Sequence, residues 1–507
     1  MTKYQPSFLE SYIPFGSQIK QLLAREKRPI LVLIVLSIAQ GIMLSAATIL
    51  GFIYKEDFQF KPDQATSYAA FLRLPWSIKP LWGVLSDSYP LCGYKRKSYL
   101  LLTSILGWLG LAVFGSNTYM PPIALGLFCI LCHYISQSFQ SVIGQAIVVE
   151  NAQKQNRKKG SSEADKSKAA SHGLSMFYGT KVLGQVLLST IIALSFDKSK
   201  RHTFLFYISL VPLVVFTFGL LLPEKRQKKE ADLLLAPYSD ETPLTEADSI
   251  MTYSQEISQQ ATANRGLTNT QKAWQFMKKP LIYKAWLLIF LSNFAPHSGE
   301  LRIYYYSNHL KFEDSFWGVI NNLAYIATFL GIIAYHRYFS HINLKTFYTV
   351  TLLIVFALHL SMLILYLDYT TVWGIPNKLF VGVENLITAF NAELHHLPIL
   401  VLACRLCPKN IEATVFAIFI AASNIAGFFS AQSGALLLKV LHITHKNFDN
   451  LYLFSIISAI VPFFSLCLLY SINYEKALKE VEDFSEGELS RKGTLEAHSN
   501  RKGTMNA

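Results

Sequence analysis

Apolar runs of about 20 residues recur along the chain from Ile30 to Tyr470, each bounded by charge. A run of that length crosses the ~30 Å hydrocarbon core of a bilayer as one helix. The pattern therefore predicts a polytopic, all-α membrane protein. Twelve spans are expected, at 30–54, 67–86, 99–117, 121–149, 172–195, 203–222, 281–308, 315–338, 346–367, 376–404, 411–438 and 450–473. The second is the least apolar, because it holds Arg73, Lys79 and two prolines. The stretch between the sixth and seventh opens on Lys225, Arg226, Lys228 and Lys229 and continues acidic and rich in Ser, Thr and Gln, without an apolar period. Such a tract cannot bury a core and reads as solvated. The expected organisation is a cytoplasmic segment 1–29, a six-helix bundle 30–222, a cytoplasmic, largely disordered linker 223–279, a second six-helix bundle 280–474 and a cytoplasmic tail 475–507. Two bundles of six suggest a pseudo-symmetric pair, although no internal sequence repeat is obvious.

Composition narrows the function classes. Of 507 residues only 16% are charged and 51% are hydrophobic, against about a quarter charged in soluble domains. The formal charge of +13 invites a nucleic-acid reading, yet no basic stretch is interleaved with aromatic residues. Sorting Lys and Arg by loop explains it: with Arg337 and Lys378, at span ends, counted with the adjoining loops, 32 of the 46 fall on the side of the termini and the linker, nine on the opposite side, and five (Arg73, Lys79, Lys181, Lys284, Arg302) within spans. The positive-inside rule then places both termini in the cytoplasm. No cleavable signal peptide is evident, since the first apolar run is long enough to span. The pairs Cys129/Cys132 and Cys404/Cys407 lie in or at the end of apolar runs in different bundles, so they read as small apolar residues rather than a metal or redox centre. With no nucleophile elbow and no Walker loop, neither an enzyme nor a cofactor is expected.

Ionisable residues inside spans are costly and are functional candidates by default. In the second span Trp76, Lys79, Gly83 and Asp87 share one helix face, and Pro75 and Pro80 free carbonyls around Lys79 to face a cavity. The seventh carries Asn293, His297, Glu300 and Tyr304 on one stripe, with Arg302 beside it. The tenth carries Glu384, Thr388, Asn391 and His395, next to Glu393 and His396, and the fourth carries Gln137, Ser141 and Gln145. Polar stripes from both halves predict a shared hydrophilic cavity; interhelical hydrogen bonds are the alternative for the Asn, Gln and Thr members. His395 and His396 point to different faces, which argues against a metal.

The run Leu74-Pro-Trp-Ser-Ile-Lys79-Pro-Leu-Trp-Gly83-Val-Leu-Ser-Asp87-Ser-Tyr-Pro90, followed by Gly93-Tyr-Lys95-Arg96-Lys97-Ser-Tyr99, resembles the signature of the folate-biopterin transporter family of the major facilitator superfamily. Leu397 to Pro408, Glu412 to Ala417, Ser423-Asn424 and Phe448 to Leu451 resemble its later helices. The resemblance covers about residues 25 to 475 and implies a twelve-helix, secondary active carrier of folates or pteridines, proton-coupled or exchanging, with some members carrying S-adenosylmethionine. It implies a cytoplasmic gate from Gly83, Asp87, Gly93, Lys95, Arg96, Lys97, Glu150, Arg405 and Glu412. Two positions depart from it: Gln145 and Ser141 stand where the family usually has acids.

The expected solute contacts are Arg73, Trp76, Lys79, Lys181, Arg302, Tyr304, Gln137, Gln145 and Asn391, the cations for carboxylates and the aromatics for a pterin ring. Glu300, Glu384, Glu393 and His395 are the expected proton carriers. The expected partners are a small organic solute and the bilayer, with no nucleic acid, and the chain is expected to be a monomer; the sequence does not say whether the membrane is the cell surface or an organelle. The competing class is a non-transporting sensor or complex subunit on the same fold. In the tail Arg-Lys-Gly-Thr occurs at 491–494 and 501–504; it reads as a solvated charged tail, with phosphorylation of Thr494 or Thr504 as the alternative.

Overall fold

The computed structural model describes residues 27–116, 122–159, 163–224, 226, 269–339, 342–408, 412–473, 475–477, 479–481, 483 and 484. Thr494, Thr504 and residues 227–268 of the linker lie outside them. The described residues are helical apart from turns and an isolated bridge between Leu91 and Tyr94. The first part of the chain forms α1 (Arg28–Ser45), α2 (Ala47–Phe52), α3 (Pro62–Leu72), α4 (Leu74–Ser77), α5 (Lys79–Ser88), α6 (Lys97–Ser116), α7 (Ile123–Lys159), α8 (Glu163–Ser195) and α9 (Arg201–Gly219). The second forms α10 (Asn269–Met277), α11 (Pro280–Ser292), α12 (Gly299–Tyr304), α13 (Phe316–Ala334), α14 (Leu344–Tyr366), α15 (Tyr369–Val372), α16 (Asn377–Arg405), α17 (Glu412–Val440), α18 (Leu451–Ile460) and α19 (Phe464–Ser471).

Ten helical segments are long and apolar enough to cross a membrane. The second and seventh expected spans are instead broken. The second starts at Pro62 and runs as α3, α4 and α5, interrupted at Arg73 and Ile78. Proline has no N–H for the helical ladder, and Pro75 and Pro80 each sit in the first turn of the piece that follows a break. The seventh runs as α11 and α12 around a non-helical stretch at Pro296, after which Ser298 caps α12 by accepting from the Leu301 N–H at 3.0 Å.

A backbone repeat accompanies the breaks. α2 ends in a π turn, Ile53–Asp57, and α12 ends in another, Tyr305–His309. Each is followed by a residue at positive φ, Gln59 at 51° and Lys311 at 52°. The Phe60 N–H bonds to Tyr54 O and the Phe312 N–H to Tyr306 O, both at 2.9 Å. Tyr54 and Phe60 thus reappear as Tyr306 and Phe312. A repeat carried by two aromatic residues and a turn is too sparse to read from the sequence alone.

The core shows how the halves meet. At the end of the bundle far from the termini, a single apolar cluster joins both halves through Phe52, Tyr54, Phe58, Tyr304, Trp317 and Phe454. At the near end, where α1 begins and α19 ends, the core separates into a cluster of the first half around Leu36, Phe139 and Phe177 and one of the second around Tyr348, Phe419 and Leu469. The halves are therefore sealed together at the far end and part toward the near end. Hydrogen bonds between the halves follow the seal: Thr66 to Ser298 at 2.6 Å, the Ser67 hydroxyl to Gln432 at 2.8 Å, and Asn321 to Thr48 at 2.8 Å.

Two stretches expected to be unstructured contain helix. α10 lies within the expected linker and buries Ala273, Phe276 and Met277. Phe276 packs at 5.1 Å on Phe484 of the expected tail, and Lys279 donates to Glu480 O at 3.1 Å. The apolar positions at 273, 276 and 277 make one short stripe, and its partner is 200 residues away, which local periodicity does not reveal.

Candidate functional site

Three cations of the first half border the space between the halves. Lys79 opens α5 directly after the break at Ile78, and its Nζ donates to Ser141 Oγ on α7 at 3.0 Å, 4.3 Å from the Trp76 ring. Lys181 on α8 is half-buried, its Nζ 5.7 Å from the Tyr178 ring, whose hydroxyl accepts from Gln145 at 3.3 Å. The two lysines are within electrostatic reach of each other, and Glu393 of the second half is within reach of Lys181 without ion-pair contact. Neither lysine has a carboxylate at ion-pair distance among the described residues. Lys181 is placed by a close helix crossing: a Cβ on Gly41 of α1 would lie 1.9 Å from Lys181 O, and one on Gly184 of α8 2.1 Å from Ile38 O. Only glycine permits that approach.

Arg73 sits at the junction of α3 and α4. Its Nη2 meets Glu300 Oε1 of α12 at 3.4 Å, across the halves, and its Nε donates to Tyr134 OH at 3.4 Å. Tyr54 OH is buried without a hydrogen-bond partner among the described residues, within electrostatic reach of both charges.

The carbonyls of Pro75 and Trp76, just before the break at Ile78, are taken by side chains rather than left facing a cavity. Pro80 cannot donate to Trp76 O, and Asn424 of the second half donates to it at 2.9 Å. Pro75 O is taken by Trp82 Nε1 at 2.9 Å and Ser138 Oγ at 2.6 Å. Three expected solute contacts are likewise committed to packing. Gln137 donates to Met43 O at 3.2 Å, Asn391 donates to Thr351 O at 3.1 Å, and Tyr304, 1% exposed, donates to Phe60 O at 2.6 Å within the far seal. Their polarity serves interhelical hydrogen bonds, the alternative open for Asn and Gln. His395 hydrogen-bonds Thr351 Oγ1 at 3.0 Å and packs on Tyr348. Arg302 and Glu384 lie apart from the lysines, in a separate cavity of the second half.

At the near end, the backbone N–H groups of Lys95, Arg96 and Lys97 all donate to the Glu224 carboxylate at 2.8 to 3.2 Å. Arg96 Nη1 donates to Ser86 Oγ at 2.6 Å. These bonds lie within the first half. Cys92 and Gly93, at φ 53° and 82°, turn the chain into this grip, and Gly83 sits half-buried on α5. Arg405 is exposed at the end of α16; the side chains of Asp87, Glu150 and Glu412 lie outside the described residues. Sequence reasoning missed Glu224, although an acid directly after the sixth span in a basic stretch was a signal. It also missed Tyr54, Tyr134 and Tyr178, which carry no charge to mark them.

Solved structures with this fold include the nucleoside transporter NupG, at TM-score 0.57 and 15% identity over 87% of this chain and 98% of that one. A D-xylose-proton symporter matches at TM-score 0.55 and 14% identity, over 86% and 96%. The architecture is that of the major facilitator transporters, and the protein is an integral, multi-pass membrane protein. In sequence, the chain is 27% identical over 448 residues to "Folate transporter 1" of Plasmodium falciparum, covering 88% of this chain and 80% of that protein. It is 26% identical over 422 residues to "Folate-biopterin transporter" of Synechocystis sp., covering 83% and 76%. A family model matches residues 38–492, nearly the whole of the helical body just described. On that match the chain belongs to the BT1 family.

Proposed function

We propose that the protein carries an anionic, folate-type pteridine across the membrane by alternating access, with Lys79, Lys181 and Arg73 as the cationic wall of its site. The observation that carries this reading is the pair of lysines without a carboxylate at ion-pair distance among the described residues. Two cations exposed to the same space repel and are costly in a membrane interior unless an anion joins them. Folate supplies two carboxylates for such a pair and a flat ring for Trp76 and Tyr178. A solute with net positive charge, such as S-adenosylmethionine, is repelled by the same wall. The names of the relatives support the substrate class.

The far seal and the parted near end correspond to a carrier open toward its termini. With the termini in the cytoplasm, as the loop charges indicate, this is the inward-facing state. Arg73 and Glu300 join the halves just below the seal, so a solute carboxylate that draws Arg73 away loosens that contact. The central test is counterflow in proteoliposomes with folate, biopterin, p-aminobenzoate and S-adenosylmethionine as unlabelled competitors. Folate competes best on this reading. Exchange of S-adenosylmethionine but not folate refutes it, and no exchange of any solute supports a non-transporting role.

A further inference from the structure

The second half contains a partly open cavity of about 70 Å³ between α12, α14, α16 and α18, separate from the lysines. It has room for a few waters. Its titratable groups are His297, Arg302, Tyr305 and Tyr306 from the α12 segment, His359 and Tyr366 from α14, and Glu384 from α16, while α18 brings only hydroxyls. Thr388 Oγ1 donates to Glu384 Oε1 at 2.7 Å, and His359 Nδ1 is tied to Val355 O at 2.9 Å. Arg302 has no hydrogen-bond or ion-pair partner among the described residues; Glu384 balances it across the cavity without contact. His297 is exposed and within electrostatic reach of both Arg302 and Arg73, so it stands between this cavity and the cleft.

The other two carboxylates face cations of the first half. Glu300 meets Arg73, and Glu393 faces Lys181. Glu384 alone among these three is buried on the wall of this polar cavity, opposite a counter-charge it does not contact and sharing the lining with the exposed His297. We propose that Glu384 is the coupling-proton site of this carrier, with Arg302 as fixed counter-charge and His297 as the entrance. The proton reaches the Glu384 carboxylate from water in the cleft and returns to water on the opposite side once the halves have rocked; no other bond forms or breaks. This rests on the carrier reading above.

The test uses the full chain in proteoliposomes, with Glu384→Gln and Thr388→Val. Wild type is expected to exchange labelled folate at equal pH and to accumulate it against a gradient when a pH difference is imposed. Glu384→Gln should keep exchange within about twofold and lose at least tenfold of the pH-driven accumulation. Thr388→Val removes a donor to the carboxylate and should move half-maximal accumulation to higher pH. Wild-type accumulation indifferent to the pH difference, or Glu384→Gln accumulating like wild type, overturns the proposal. Infrared difference spectra between acid and neutral pH separate this from the choice of solute. A protonated-carboxyl band lost in Glu384→Gln supports the site even if no pteridine is carried, and a band unchanged by the substitution overturns it.

Discussion

Replacing Lys79 by Gln tests whether the cationic wall reads carboxylates. Lys79 has one protein hydrogen bond, to Ser141 Oγ at 3.0 Å, and lies over the Trp76 ring. Removing its charge breaks no ion pair in the described structure, so the fold loses little, and the cost of an uncompensated cation in the membrane interior disappears. The loss falls on the solute. A hydrogen bond to a charged group contributes about 1.5 to 3 kcal/mol. At about 1.4 kcal/mol per factor of ten, Lys79→Gln should lower apparent folate affinity about 10- to 150-fold. Uptake of labelled folate well below saturation measures this, with detergent melting temperature and expression as controls. Biopterin, which has no carboxylate, should lose no more than about threefold. Unchanged folate uptake by a well-folded variant removes Lys79 from the site. Equal losses for folate and biopterin refute the carboxylate argument, since they indicate a general defect in rocking.

Gly184→Ala places a Cβ 2.1 Å from Ile38 O, and overpacking of this kind costs about 1 to 3 kcal/mol, read as a lower melting temperature and reduced expression; a normal melt contradicts the close crossing. Asp57, 6% exposed, accepts from Arg201 Nε at 2.9 Å and from His202 Nε2 at 2.9 Å, so Asp57→Ala leaves the half-buried Arg201 without this acceptor and should destabilise by about 1 to 3 kcal/mol. Thermal unfolding in detergent checks it. Tyr304→Phe removes one bond of the far seal, about 1 kcal/mol, and should raise labelling of far-end cysteine probes about fivefold; no change argues against a seal. Glu224→Ala should speed hydrogen exchange at the Lys95, Arg96 and Lys97 amides about tenfold, since all three lose their acceptor, a cost of about 1.4 kcal/mol.

The helical class was legible because a bilayer imposes a length on every span, and ten of the twelve expected segments are continuous for that reason. The broken ones were flagged only by their prolines, since hydropathy averages over a break. Lys79, Lys181 and Glu384 stood out because charge in a membrane interior is conspicuous. Tyr304, Gln137 and Asn391 lie on the same kinds of stripe, yet their bonds go to backbone carbonyls of neighbouring helices. A polar residue at helical spacing says that a partner exists, not whether the partner is a solute or a helix. Arg302 and Lys79 look alike in sequence; only the packing of α14 and α18 puts Arg302 in a separate chamber.

The matching turns after α2 and α12 show one backbone plan used twice, while the charges along the cleft have sorted by sign. Lys79, Lys181 and Arg73 belong to one copy and Glu300 and Glu393 to the other. An empty cleft therefore has walls of opposite potential that attract as they approach. An anion seated on the cationic wall carries negative charge toward the acidic one, and closure over it meets repulsion unless a proton taken up at Glu384 lowers the negative charge of that copy. On the proposed reading, the asymmetry between the copies itself penalises closing on solute alone, so slippage is suppressed by the charge arithmetic of the walls without a dedicated latch.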